Sequence, residues 1–389
     1  MPYKIRDRDE HYANDGAPKR ILALDGGGLR GILTLGILQR IENILRERHG
    51  TGDDFRLSHY FDLIAGTSTG AIIAATLALG WKVEDIRAKY MSLGESVFKK
   101  SFLRQGLVRA KYDEDSLIKE LQGVYGPKRT LRDPAISTGL LVVAKRLDTG
   151  SWWPISNNPR GKYFNARPNG VIGNGDYPLW QVVRASTAAP AYFDPERITI
   201  SKPDKGDPVS GEFVDGGVSP FNNPALMAVM YATMDGYRVG WPTGADKLLL
   251  VSVGTGAADR RVKRANLTAE HAIKAVVALM DDCADLQETL LQWMSSSRTA
   301  RPIDREMGDL QHDLVARAPL LSYMRYNVDL SVDSVLALNP KLKSEKKIET
   351  LTEMDAPENM VTLHRLGALA GERDVLAGDF AGTFDLPRS

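Results

Sequence analysis

One cysteine, Cys283, stands in 389 residues. A single thiol excludes a disulfide framework, a zinc ribbon and an iron–sulfur site, and it fits a reducing compartment. Asp281, Asp282 and Asp285 surround it, whereas a nucleophilic thiol needs a lowered pKa. An inert thiol is expected. Charge of one sign is also missing: 50 Lys and Arg face 49 Asp and Glu, for a formal net charge of +1. No basic field marks a binder of nucleic acid duplexes. The polar N-terminus, "MPYKIRDRDEHYANDGAPKR", lacks an apolar signal core. The longest apolar stretch, 63–81, is interrupted by Thr67, Ser68, Thr69 and three glycines, so it reads as a buried strand, turn and helix rather than a membrane span. A cytoplasmic protein touching membranes only peripherally is expected. No H-E-x-x-H pattern or cysteine pair is present, so neither metal nor cofactor is expected.

What is present is glycine in patterned places. The composition, 43% hydrophobic and 25% charged, is that of a globular chain. Residues 1–18 read as a loose polar arm. "RILALD" (20–25) has the length of a buried strand and runs into Gly26-Gly27-Gly28-Leu29-Arg30-Gly31. Apolar residues at helical spacing follow, from Ile32 to Leu45, with Gly50 as a stop. "YFDLIAGT" (60–67) and "GAIIAATLALG" (70–80) repeat the strand–turn–helix order. That rhythm predicts an α/β fold, three layers deep, around a mostly parallel sheet. Further strands are expected at 136–148, 211–218 and 246–256, and helices at 178–193 and 223–234. The stretch from 95 to 135 reads as helical in pieces, 150–178 as long loops, and the chain beyond 260 as mostly helical.

The turn of the second unit is Gly66-Thr67-Ser68-Thr69-Gly70, a G-x-S-x-G nucleophile elbow in its required strand-to-helix context. Its serine hydroxyl would stand at a helix N-terminus, where free N–H groups favour developing negative charge. Acyl transfer also needs oxyanion donors and a base. The amides of Gly26, Gly27 and Gly28 are candidates for the first, with Arg30 as an added positive charge. For the second, none of His11, His49, His59, His271, His312 or His364 adjoins a glycine turn at a strand end. Asp215 does, before Gly216 and Gly217. A carboxylate there suits a buried base, and equally a simple turn bond.

"DGGGLRG" (25–31), "GTSTG" (66–70) and "DGG" (215–217), in that order, resemble the patatin-like phospholipases, with "ASTAAPAYF" (185–193), "NNP" (222–224) and "LLLVSVGTG" (248–256) as secondary matches. The likeness covers 20–256 and thins afterwards, although "YMRYNVDL" (323–330) still resembles bacterial members. It implies a family domain over 19–340 and a helical, polar extension over 341–389. It also implies a Ser68–Asp215 dyad, an oxyanion hole at Gly26–Gly28, and hydrolysis of glycerophospholipid acyl esters at a membrane surface without a metal. Some bacterial members are antiphage effectors switched on by cyclic oligonucleotides, so such an activator is a possible partner. Two other readings compete. One is an idle storage or binding protein on the same fold. The other is a dinucleotide-binding oxidoreductase, since Gly26-x-Gly28-x-x-Gly31 also spells that fingerprint, with Asp53 and Asp54 near the ribose-binding distance.

Overall fold

The computed structural model describes residues 3–50, 52–98, 114–190, 192–257 and 268–388. Its centre is a nine-stranded sheet: β1 (Lys19–Leu24), β2 (Leu63–Thr67), β3 (Gly139–Arg146), β4 (Trp152–Ser156), β5 (Glu196–Ser201), β6 (Val209–Asp215), β7 (Leu248–Val253), β8 (Ser295–Ser296) and β9 (Leu321–Tyr326). Strands β3, β2, β1, β7, β9 and β8 lie side by side and parallel. Strands β4, β5 and β6 are antiparallel to their neighbours. The central strands are continuous apolar runs because both faces are covered. Along β1, Leu22 and Leu24 enter one core while Ile21 and Ala23 enter the other, as the two-residue period of a strand requires.

Twelve helices are described: α1 (Arg8–Tyr12), α2 (Gly31–His49), α3 (Leu57–Tyr60), α4 (Thr69–Ala78), α5 (Val83–Phe98), α6 (Glu114–Tyr125), α7 (Leu179–Ser186), α8 (Ala225–Thr233), α9 (Thr268–Trp293), α10 (Val332–Leu338), α11 (Glu345–Thr350) and α12 (Met360–Asp374). Helices α2, α4, α5, α7 and α12 bury their apolar residues on one face of the sheet; α8 buries Ala225, Met227, Ala228 and Ala232 on the other. The result is the expected three-layer α/β/α arrangement.

The register around β3 decides where the site forms. β4 takes one edge of β3 over Leu141–Lys145. The opposite edge is shared: β2 pairs with Gly139–Val143, and β6 pairs with Ala144–Arg146 from the opposite direction. Strands β2 and β6 therefore run toward each other and end on adjacent residues of β3. Thr67 faces Val143 and Asp215 faces Ala144. The residue after Thr67 is Ser68.

Four sequence expectations meet a different structure. The N-terminal arm is packed, not loose: Tyr3, His11 and Tyr12 are buried, and the Tyr12 hydroxyl donates to Asn157 Oδ1 at 3.0 Å. The arm docks on Asp62, a fully buried carboxylate that holds Arg6 at 2.7 Å, His11 at 2.9 Å and Arg20 at 2.9 Å. Within the expected loops of 150–178, Trp152–Ser156 is a strand. Its Pro154 hid it, but β4 is bonded on one side only, where proline is tolerated. Beyond 260, β9 extends the parallel sheet beside β7. The 99–113 part of the expected helical stretch lies outside the described residues. Finally, 341–389 is part of the core: α12 packs so closely on α2 that Gly367 meets the Leu33 backbone and Gly36 meets Ala368.

Candidate active site

The meeting of β2 and β6 places the Ser68 hydroxyl 2.5 Å from Asp215 Oδ2, which accepts its hydrogen bond. The other carboxylate oxygen, Oδ1, accepts the Gly217 N–H at 2.7 Å, which fixes the carboxylate plane. Asp215 is therefore both the turn residue and the hydroxyl's partner. Burial is the main cause that raises its pKa from 3.8 to about 6, opposed by the bonds from Ser68 and Gly217.

Ser68 itself is strained. Its backbone has φ 55° and ψ −125°, a region nearly closed to side-chain-bearing residues. The elbow is tight enough that a Cβ on Gly66 would strike the Gly70 backbone, and one on Gly70 would strike the carbonyl oxygen of Leu24 on β1. Both glycines are therefore required by close approach. The Ser68 N–H is already taken, donating to Ser186 Oγ at 2.9 Å, and Ser186 in turn donates to the Val143 carbonyl at 2.6 Å.

The glycine loop runs beside this pair. Its carbonyls are all held. That of Gly26 accepts from Thr255 Oγ1 at 3.0 Å and Asn222 Nδ2 at 3.3 Å, that of Gly27 from the Arg30 N–H at 3.2 Å, and that of Gly28 from the Tyr90 hydroxyl at 2.7 Å. Its amides differ. The Gly26 N–H donates to the Asn222 carbonyl at 3.1 Å, so it is not free for a substrate. The N–H groups of Gly27 and Gly28 have no acceptor among the described residues, and both residues line the same cavity as Ser68, Thr69 and Asp215. Gly28 reaches this geometry with φ 58° and its Cα against the Met354 carbonyl, where a side chain has no room. Gly31 opens α2 against the Tyr90 hydroxyl, and Gly216 lies against the Val143 carbonyl. Arg30 is not on the cavity wall. Its guanidinium is buried, which holds its pKa below the ordinary value, while Asp281 and Asp25 act to raise it. The expected added charge is thus buried and does not line the cavity.

The cavity has a volume of about 350 Å³. Leu29, Ile72, Leu93, Leu117, Val218, Met280 and Met354 supply its apolar wall. Among the described residues no histidine lines it. His11 is bound to Asp62 and His59 meets Tyr3; of His271 the side chain lies outside the described residues. Asp53 and Asp54 lie on an exposed turn after α2, not at a strand end where a dinucleotide ribose would need them. Among the described residues no cluster of His, Cys, Asp and Glu forms a metal site, and no helix is long and apolar enough to cross a membrane.

Several supports were not legible as such. Arg325, on β9, grips Asp25 through two bonds of 3.0 and 2.6 Å where β1 enters the glycine loop. Burial raises the Asp25 pKa, and the Arg325 guanidinium opposes this. The Leu29 N–H donates to the Met354 carbonyl at 2.7 Å, so a segment near the C-terminus closes the loop from above. Asn222 bridges loop and dyad: it bonds Gly26 at both ends, and its Oδ1 lies against Gly217. The sequence named Asn222 only as part of "NNP" and Arg325 only within "YMRYNVDL"; Met354 carried no signal.

The family model for patatin-like phospholipase matches residues 22–229. The chain belongs to the patatin-like phospholipase family. A cGAMP-activated phospholipase of Escherichia coli (strain TW11681) is 26% identical over 246 residues, 62% of this chain and 63% of the relative. A cUMP-AMP-activated phospholipase of Escherichia coli is 35% identical over 226 residues, 57% of this chain and 61% of the relative. Patatin-17 of Solanum cardiophyllum is 28% identical over 263 residues, 63% of this chain and 62% of the relative. The matched region spans a little under two thirds of each of these patatin-like relatives.

Proposed function

We propose that this patatin-like chain is a lipid acyl hydrolase that cleaves acyl esters of glycerophospholipids through a Ser68–Asp215 dyad. The observation that carries the reading is the 2.5 Å bond from Ser68 to Asp215 in an apolar cavity beside two unpartnered amides. Ser68 Oγ attacks the ester carbonyl carbon while its proton passes to Asp215 Oδ2. A base near pKa 6 is ionised at neutral pH and basic enough to take that proton. The carbonyl oxygen becomes an oxyanion facing the Gly27 and Gly28 N–H groups, whose carbonyls are locked away from it. Preorganised donors of this kind are worth roughly 3–4 kcal/mol each. Collapse breaks the ester bond, and the departing lysolipid oxygen takes the proton back from Asp215. Water then attacks the acyl-serine, giving its proton to Asp215. A second collapse releases the fatty acid and returns the proton to Ser68.

The apolar wall suits an acyl chain, and the substrate reaches it from a membrane surface by peripheral contact in the cytoplasm. Two of the relatives are named for activation by cyclic nucleotides. By analogy this chain takes a cyclic nucleotide activator. The storage reading is disfavoured by the intact dyad and the open amides. The test is mass spectrometry of products from phospholipid vesicles incubated with wild type and Ser68→Ala, each with and without cGAMP or cUMP-AMP. Free fatty acid and lysolipid from wild type alone support the reading; equal release from both proteins overturns it.

A further inference from the structure

A second cavity, of about 500 Å³, shares no lining residue with the active site. It lies where β4 meets the 161–174 segment and the end of α8. Its size is within the roughly 300–1,000 Å³ of small-molecule pockets. Its lining includes aliphatic, hydroxyl and amide residues, and two further kinds matter most. Trp152, Trp153, Tyr163 and Tyr237 present aromatic surface, and Arg146 and Lys162 present cations. Among the described residues no carboxylate lines it. Arg146 lies over the Trp153 ring at 5.1 Å and is paired with Asp148 outside the wall at 2.5 Å. Lys162 has no carboxylate partner among the described residues, and neither has Arg167; both sit over the Tyr163 ring, at 5.6 and 5.1 Å. The stretch "RGKYFNAR" (160–167) holds three cations and no acid. An acyl chain would have no use for these charges. Planar stacking surfaces beside unpaired cations suit a base carrying phosphate.

The cavity also touches the supports of the active site. The Trp152 ring packs edge-on against Phe221, 5.5 Å between centroids. The Phe221 carbonyl accepts the Thr67 hydroxyl at 2.7 Å, one residue before Ser68. The next residue, Asn222, holds Gly26. Trp153 packs edge-on against Phe213 on β6, two residues before Asp215. A ligand that moves either tryptophan thus pushes on the elbow, the glycine loop and the base through direct contacts.

We infer that this second cavity is the binding site for a nucleotide that regulates the enzyme, its base stacked on the Trp152, Trp153 and Tyr163 walls and its phosphate held by Lys162, with Arg167, over the same Tyr163 ring but off the cavity wall, adding positive charge. The inference rests on the regulated reading under Proposed function and supplies that reading with a site. The test titrates cGAMP, cUMP-AMP and AMP into Ser68→Ala, followed by tryptophan fluorescence and calorimetry, with Trp152→Ala and the double variant Lys162→Gln/Arg167→Gln made in the same background. Thermal melts control for folding, and Trp152 is 45% exposed, so its truncation leaves the core intact. Saturable binding that weakens by about fivefold or more in Trp152→Ala is expected, the lower end of what one stacked base is worth, with a clear loss in the double variant as well. The ratio of ester hydrolysis with and without nucleotide, read in active enzyme, should fall toward one in the same variants. Undiminished binding in both variants would overturn the site while leaving the regulated reading standing. Absence of binding by all three nucleotides would overturn both. Loss of adsorption to phosphatidylglycerol vesicles in the variants, without nucleotide binding, would make this face a membrane contact and overturn the inference.

Discussion

Replacing Asp215 by Asn should make the protein more stable and nearly inactive, and the stability gain should depend on pH. Burial raises the carboxyl from 3.8 to about 6, so the folded protein binds that proton more tightly than the unfolded chain. The contribution of this group to stability is fully present below pH 4 and is lost as pH rises through 6. Above that, the folded state carries the cost of a buried charge. A rise of roughly two units corresponds to about 3 kcal/mol at most. Asn keeps the shape and has no such proton to lose. The difference in unfolding free energy between variant and wild type should therefore be flat below pH 4, grow between 4 and 6, and level off above 6. Urea unfolding at pH 3.5, 5, 6.5 and 8 measures it. Ester hydrolysis by the variant at pH 8 should fall by roughly 10² to 10⁴, the usual worth of a general base. The wild-type kcat/KM should rise with pH through about 6. A variant whose stability relative to wild type falls on going from pH 4 to pH 8 would show that the fold favours the carboxylate. Burial would then not be what sets the Asp215 pKa.

Ser68→Gly should be more stable than wild type by about 1 kcal/mol, because glycine relieves the strained φ of 55°, whereas Ser68→Ala keeps the strain; thermal melts that rank Gly no higher than Ala would contradict this. Tyr90→Phe removes the hydroxyl that holds the Gly28 carbonyl, and with a net hydrogen-bond worth of about 0.5–1.5 kcal/mol it should lower kcat by roughly 2- to 13-fold with KM little changed; a change in KM alone would assign Tyr90 to substrate binding instead. Asp62→Asn breaks a buried carboxylate's pairing with Arg6, His11 and Arg20 and should cost about 3–5 kcal/mol at pH 7. The pKa of Asp62 is held far below the usual range, with Arg20 the largest favourable influence against burial. Its contribution is thus present at neutral pH and lost on acidification below the unfolded carboxyl's pKa; equal urea midpoints at pH 7 would refute the pairing.

The site was legible where chemistry constrains backbone. Gly66 and Gly70 announce the elbow because a side chain on the first would meet the Gly70 backbone and one on the second the Leu24 carbonyl, and Asp215 stands out because it ends a strand before two glycines. Gly27 and Gly28 were read correctly as a loop, but spacing alone could not say which amides stay free. That depends on Asn222, distant in sequence, which takes the Gly26 N–H. Arg30 is a related case: a charge near a loop has no direction in the sequence, and here it is buried off the cavity wall. The fold was legible where both faces of a strand are buried, as in β1, β2 and β7. It was not at β4, where Pro154 masks an edge strand, nor at the N-terminal arm. There Arg6 and His11 look solvated until Asp62 is seen beneath them. Met354 closes the glycine loop through its backbone carbonyl, a contact that no side-chain pattern encodes.

The central claim is that Ser68 is the nucleophile of an acyl hydrolase. A lipid-like fluorophosphonate reacts only with a serine already activated and facing a site that accepts the phosphonate's chain. Intact-mass analysis followed by peptide mapping should find one adduct, on Ser68, with loss of ester hydrolysis in step with labelling and no adduct on Ser68→Ala. Labelling of another residue with parallel loss of activity, or full labelling of Ser68 with activity retained, would contradict the account.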